Sequence, residues 1–172
     1  MSFVREYLAP RFAGRAILDI GAGTGRWIHL WRNHGGCITS TDISPPHLGI
    51  LRRRSKELGA DVLRLDIAEH RLQRQFDLVY ASMVLLHIPP TQIRAALDNI
   101  DAMAEDELLF TTWNRSDGTF DDESTSKIQS FSHDYVTLFR QVGWKVIFNC
   151  GVDYGRASSD PGVSRLWHLK RR

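Results

Sequence analysis

Residues 17–27 read ILDIGAGTGRW. An apolar run, Ile17-Leu18-Asp19-Ile20, leads into Gly21-Ala22-Gly23-Thr24-Gly25, and the amphipathic stretch Trp27-Ile28-His29-Leu30-Trp31 begins directly after it. This order predicts a buried strand over about 16–20, a glycine turn, and a helix over about 25–34. Glycine reaches positive φ at little cost and exposes main-chain atoms that a Cβ would shield. The unpaired N–H groups of a first helical turn favour an anion above the turn, phosphate or carboxylate. A bare strand-to-helix connection would need one glycine, whereas this turn has three. The segment therefore reads as half of a nucleotide-type cofactor site.

Working outward, apolar runs and helical stripes alternate. Strands are expected at 37–41, 61–65, 76–81, 108–113, 144–149 and 163–169, and helices between Ser44 and Gly59, from Pro89 to about Ala104, and at about 132–142. The pattern predicts an α/β chain, a doubly wound, mostly parallel seven-stranded sheet with helices on both faces. No helix separates the last two strands, so they should form an antiparallel hairpin. Residues 114–131, NRSDGTFDDESTSKIQSF, are polar, acidic and irregular, and suit either a lid or a solvated insertion. Residues 151–162 form a second loop rich in Gly, Ser, Asp and Pro.

Acids recur at strand ends. Asp42 closes the second strand, where open α/β sheets bind ligands and a carboxylate accepts from ribose hydroxyls. Its other reading, the N-cap of the next helix, could be served by Ser44 instead. Asp66 closes the third strand, where it could equally cap the turn that follows.

A dinucleotide fingerprint would place its third glycine at position 26, which is Arg26. The observed Asp19-x-Gly21-x-Gly23-x-Gly25 instead resembles motif I of the class I S-adenosylmethionine-dependent methyltransferases, (D/E)-x-G-x-G-x-G. The stretch FDLVYASMVLLHIPP at 76–90 is similar to that family's motif IV region, and Gly143-Trp144 and the terminal hairpin also match. The resemblance implies S-adenosylmethionine as cofactor. Its methionine end would lie over Gly21, Ala22, Gly23 and Gly25, with Asp19 orienting the ammonium group. Asp42 would hold the ribose, and Asp66 and the Ile67 N–H the adenine, with Ile43 against the adenine or ribose face. Ser82, Met83 and His87, leaving the fourth strand, would line the reacting centre. His87 is the best candidate base, although a lining or structural role suits it better; His133, Tyr135, Trp113, Asn114 and Arg115 are weaker candidates.

The chain has 172 residues, 42 % apolar and 24 % charged, with a formal net charge of +2. It is read as one domain over 1–172, too weakly charged to indicate nucleic acid as a partner. Arg52-Arg53-Arg54 reads as a solvated helix face. No window suits a membrane span and no apolar signal core opens the chain, so a cytoplasmic location is expected. Cys37 and Cys150 make neither a metal spacing nor a disulfide framework, and no metal is expected. After the fourth strand stands Ser82-Met83-Val84-Leu85, which departs from the nucleobase-amine motif N/D/S-P-P-Y/F/W, and there is no Pro-Cys nucleophile. A small-molecule acceptor bearing a hydroxyl or amine is therefore expected, with recognition from the first dozen residues, the two loops, a homodimer partner or a partner subunit. The competing readings are a non-catalytic scaffold subunit of a heteromeric methyltransferase and an NAD-dependent oxidoreductase.

Overall fold

The computed structural model describes residues 4–115, 119–120, 130–152 and 162–171. Among these, strands β1 (Ala16–Ile20), β2 (Cys37–Asp42), β3 (Asp61–Arg64), β4 (Phe76–Ser82), β5 (Ala104–Arg115), β6 (Trp144–Gly151) and β7 (Gly162–Arg171) form one sheet, in the order β3-β2-β1-β4-β5-β7-β6. Strands β1 to β5 pair in parallel, and β7 runs antiparallel to both β5 and β6. This is the predicted doubly wound sheet with its antiparallel final pair. Parallel neighbours need crossovers, which α1 (Ile28–Asn33), α2 (Pro45–Leu58) and α3 (Ile93–Met103) supply, while α4 (Tyr135–Gln141) precedes β6. Strand order reverses between β1 and β4, which opens a crevice outside their carboxyl ends.

Two apolar layers hold the sheet. Residues of α1 and α2 (Ile28, Trp31, Leu48, Leu51) pack on one face together with Val4, Leu8 and Phe12 from the helical turns at Val4–Leu8 and Ala9–Phe12. Residues of α3 and α4 (Ile93, Leu97, Ile100, Phe139) cover the other face. Each such fully buried side chain contributes about 1.5–3 kcal/mol of transfer free energy. Alternation along β1 sends Leu18 and Ile20 to the α3/α4 side and Ile17 to the α1/α2 side, and so places Asp19 on the latter.

Several boundaries shift for local reasons. The first helix begins at Ile28 rather than near 25, because Gly21, Gly23 and Gly25 sit at φ 60°, 57° and 83°, which no right-handed helix accommodates. Pro89 to Gln92 forms a turn, whose Pro89 carbonyl accepts from the Gln92 and Ile93 amides, so α3 starts at Ile93. β5 begins at Ala104, directly from α3, and extends to Arg115. Of the two expected loops, residues 116–118, 121–129 and 153–161 lie outside the described residues. Both cysteines are free thiols, Cys37 at the start of β2 and Cys150 near the end of β6. No helix among the described residues is long and apolar enough to cross a membrane.

Candidate functional site

The glycine turn occupies residues 21–27, between β1 and α1. Its three glycines meet three different demands, all at positive φ. A Cβ on Gly21 would come within 2.5 Å of Val84 Cγ2, so its missing side chain lets the turn close against the exit of β4. A Cβ on Gly25 would meet Ile28 Cδ1 at 2.9 Å and Leu51 Cδ1 at 3.0 Å. Gly23 differs, since nothing lies within 4 Å of where its Cβ would be. Of the three, only Gly23 leaves open space beside the turn; Gly21 and Gly25 serve the protein's own packing.

Register explains the acid pair. Asp19 of β1 lies opposite Ser40 of β2, and Asp42 follows Ser40 by two residues, so both acids project to one face. Asp19 is 1 % exposed, and neither of its carboxylate oxygens has a hydrogen-bond partner. Burial, with the neighbouring Asp42 charge adding to it, pushes its carboxyl up to about 8. A buried carboxylate without donors is costly, and such groups concentrate where a ligand completes them.

Asp42 is also buried, but fully engaged. Its Oδ2 accepts the Gly23 N–H at 2.8 Å and its Oδ1 the Ser44 N–H at 2.8 Å, with His47 Nδ1 3.5 Å from Oδ1. The Ser44 side chain makes no cap bond, so the carboxylate of Asp42, not the serine, supports the start of α2. One residue thus secures the glycine turn and the helix together. Asp66, half-buried, accepts the Ala68 N–H with Oδ1 at 3.0 Å, while its carbonyl accepts from His70 at 2.8 Å. It caps the turn after β3 with one oxygen and lies on the same sheet edge as Asp42, whose carbonyl accepts the Leu65 N–H at 3.1 Å. Ile67 is buried, its carbonyl accepting from Asn99 Nδ2 at 3.0 Å. Ile43 is 49 % exposed beside the buried Asp42, an apolar side chain left on the rim of the crevice.

On the β4 side, the hydroxyls of Ser82 and Thr111 are 2.9 Å apart, and the Met83 N–H donates to the Thr111 carbonyl at 2.8 Å. Met83 holds φ 58°, the one non-glycine residue at positive φ among the described residues. Such a conformation costs of order 1–3 kcal/mol and concentrates at working sites. His87 is exposed, at the end of a single 3₁₀ turn, Leu85–His87.

The weaker candidates divide. His133 is buried and its Nε2 hydrogen-bonds to the Ile88 carbonyl at 3.0 Å, and Tyr135 is buried with its phenol pKa raised by desolvation; both are core residues. Asn114 is a tie that the pattern did not reveal: its Nδ2 donates to Ser132 Oγ at 3.1 Å and to the His133 carbonyl at 2.7 Å. The Phe131 N–H meets the Leu86 carbonyl at 2.7 Å, so segment 131–133 braces the residues on either side of His87. Trp113 is half-buried in β5, and the side chain of Arg115 lies outside the described residues.

Comparison with known proteins adds a family. Residues 17–106 match the family described as a methyltransferase domain. The chain is 30 % identical over 122 residues to a ubiquinone biosynthesis O-methyltransferase of Xanthomonas euvesicatoria pv. vesicatoria, covering 67 % of this chain and 51 % of that protein. It is 37 % identical over 91 residues to a tRNA U34 carboxymethyltransferase of Cronobacter sakazakii, covering 49 % of this chain and 27 % of the other. The chain thus spans about half the length, or less, of these relatives. The fold superposes with TM-score 0.75 on magnesium protoporphyrin IX methyltransferase of Synechocystis PCC 6803, solved with bound SAH, at 17 % identity over 99 % of this chain and 79 % of that one.

Proposed function

The chain belongs to the methyltransferase-domain family, and from that premise we propose that it transfers a methyl group from S-adenosylmethionine to a hydroxyl or amine of a small-molecule acceptor. Asp19 is the observation that carries this reading. It is a wholly buried carboxylate whose two oxygens have no donor, on the face of the sheet shared with Asp42 and four residues before the open Gly23. An ammonium group there satisfies it, and the open space beside Gly23 leaves room for the rest of the same amino-acid moiety. The residues present therefore fit the methionine end of the cofactor. Asp42 would accept from the ribose hydroxyls while still holding Gly23, since each carboxylate oxygen has more than one lone pair. Asp66 and the Ile67 N–H would meet the adenine edge, with Ile43 as its apolar wall.

When bound, the cofactor supplies an activated methyl on a sulfonium, already a good leaving group. The protein's part is to hold the acceptor in line, with Ser82, Met83 and His87 along that side. A neutral amine delivered in line needs little basic help, so His87 is assigned a lining role. The test is incubation with methyl-labelled S-adenosylmethionine and a panel of phenols, alcohols and amines, with tRNA as a parallel arm. Label should enter a small molecule, and His87→Ala should raise the acceptor KM more than it lowers kcat. Label in tRNA alone would contradict the acceptor class; a kcat loss of about 10²–10⁴ at unchanged KM would make His87 the base.

A further inference from the structure

The glycine turn has no repeating hydrogen-bond ladder, because three of its residues are at positive φ. Its shape must be fixed from outside. Within the turn, the Gly25 N–H donates to the Ala22 carbonyl at 2.9 Å, and β2 contributes the Thr41 carbonyl to the Ala22 N–H at 2.8 Å and Asp42 Oδ2 to the Gly23 N–H. The third side of the turn is held by α2. There Arg54 Nη1 donates to the Thr24 carbonyl at 2.8 Å, one helical turn from Leu51, whose Cδ1 fills the space beside Gly25. The start of the same helix is supported by Asp42 through the Ser44 N–H. One rigid element thus sets the spacing between Asp42 and the outer part of the turn. The run Arg52-Arg53-Arg54 is therefore not uniform: all three side chains are exposed, but Arg54 reaches across to the turn.

We infer that Arg54 is a positioning residue for the cofactor, clamping the Thr24 carbonyl so that the turn around Gly23 already holds its binding shape before the ligand arrives. This rests on the function proposed above. The physical effect is on preorganisation: apparent affinity scales with the fraction of molecules whose turn is already in the binding shape. Loss of one charge-assisted hydrogen bond in an exposed setting corresponds to a drop of about three- to tenfold.

Two readouts test it on the whole chain. In titration calorimetry with S-adenosylhomocysteine, Arg54→Ala should raise Kd about three- to tenfold, while Arg52→Ala and Arg53→Ala, which remove the same charge from the same run, should stay within about twofold. Arg54→Lys, which keeps charge and one donor, should recover part of the loss. In hydrogen exchange without ligand, amides 22–27 should exchange faster in Arg54→Ala, with those of β1 unchanged and the melting temperature close to wild type. Wild-type binding with equal Kd for Arg54→Ala would overturn the inference alone, as would equal losses in all three alanine variants, which would show a charge effect. A wild-type chain that binds no S-adenosylhomocysteine would overturn the functional reading and this inference with it.

Discussion

Asp19→Asn should make the ligand-free protein more stable at neutral pH and, at the same time, weaken S-adenosylmethionine binding at least about thirtyfold. The two effects share one cause. In the folded chain burial and the nearby Asp42 hold the Asp19 carboxyl at about 8, whereas its ordinary value is 3.8. Between those values the folded state keeps a proton that the unfolded chain has released. Stability from this group is therefore fully present below pH 3.8 and falls as pH rises through 8, by up to about 1.4 kcal/mol per unit. Asparagine cannot ionise, so thermal or urea unfolding of Asp19→Asn should lack that downward slope. Binding moves the other way, because an ammonium group is held by the carboxylate. Losing a desolvated charge pair costs about 2–5 kcal/mol, of which the lower end gives the thirtyfold figure. Wild-type binding near pH 7 should also release up to one proton, seen as a buffer-dependent heat in calorimetry. An Asp19→Asn variant that binds as tightly as wild type would remove the main support for the cofactor assignment.

Glu107→Ala should destabilise the fold by about 3–5 kcal/mol and leave cofactor affinity unchanged. Glu107 is 1 % exposed in β5, beside Leu78 of β4, in the amino-terminal half of both strands and away from the crevice. His168 Nε2 lies 2.5 Å from Oε2, while Arg11 and Lys170 reach Oε1 at 3.0 Å each. Burial alone would raise its carboxyl, but hydrogen bonds from His168 and Lys170, with the charges of His168 and Arg11, outweigh it and hold the value down to about 2. The two longer cations are partly solvated and contribute less than the buried imidazole. Because Arg11 comes from the turn Ala9–Phe12, the cluster also ties the start of the chain to the sheet. Removing Glu107 leaves a buried histidine without its partner and that tie undone. The wild-type contribution is complete above the ordinary glutamate value of 4.5 and is lost as pH falls through about 2, so acid unfolding of Glu107→Ala should lack that component. Equal urea midpoints for the two proteins at pH 7 would show that the cluster does not hold the fold.

What the sequence revealed and what it hid follow from different physics. Local pattern carried the glycine turn, the strand-end acids and the antiparallel final pair, because glycine chemistry, strand length and the lack of a crossover helix are written along the chain. Side-chain partners over long separations were not written there. Asp42 was legible as a strand-end acid, but its bond to the Gly23 amide depends on the register of β1 against β2. Arg54 was hidden in a run of three arginines whose composition suggests solvent. Its offset of three from the buried Leu51 was the available signal, since that spacing brings it near the same helical face. Glu107 carried a similar clue, as it adjoins the apolar run Leu108-Leu109-Phe110 of a strand buried on both faces. The late start of α1 was hidden because the amphipathic stretch continues up to the glycines, and only their positive φ ends the helix. His133 is chemically eligible by type, yet burial and the Ile88 carbonyl make it a brace.

The crevice above β1 and β4 is proposed to take S-adenosylmethionine rather than a nicotinamide dinucleotide, and both ligands can be offered directly. Isothermal calorimetry of the wild-type chain with S-adenosylhomocysteine, and separately with NAD(H), should give saturable one-to-one binding of the first and none of the second. Saturable binding of NAD(H), with no heat from S-adenosylhomocysteine, would contradict it.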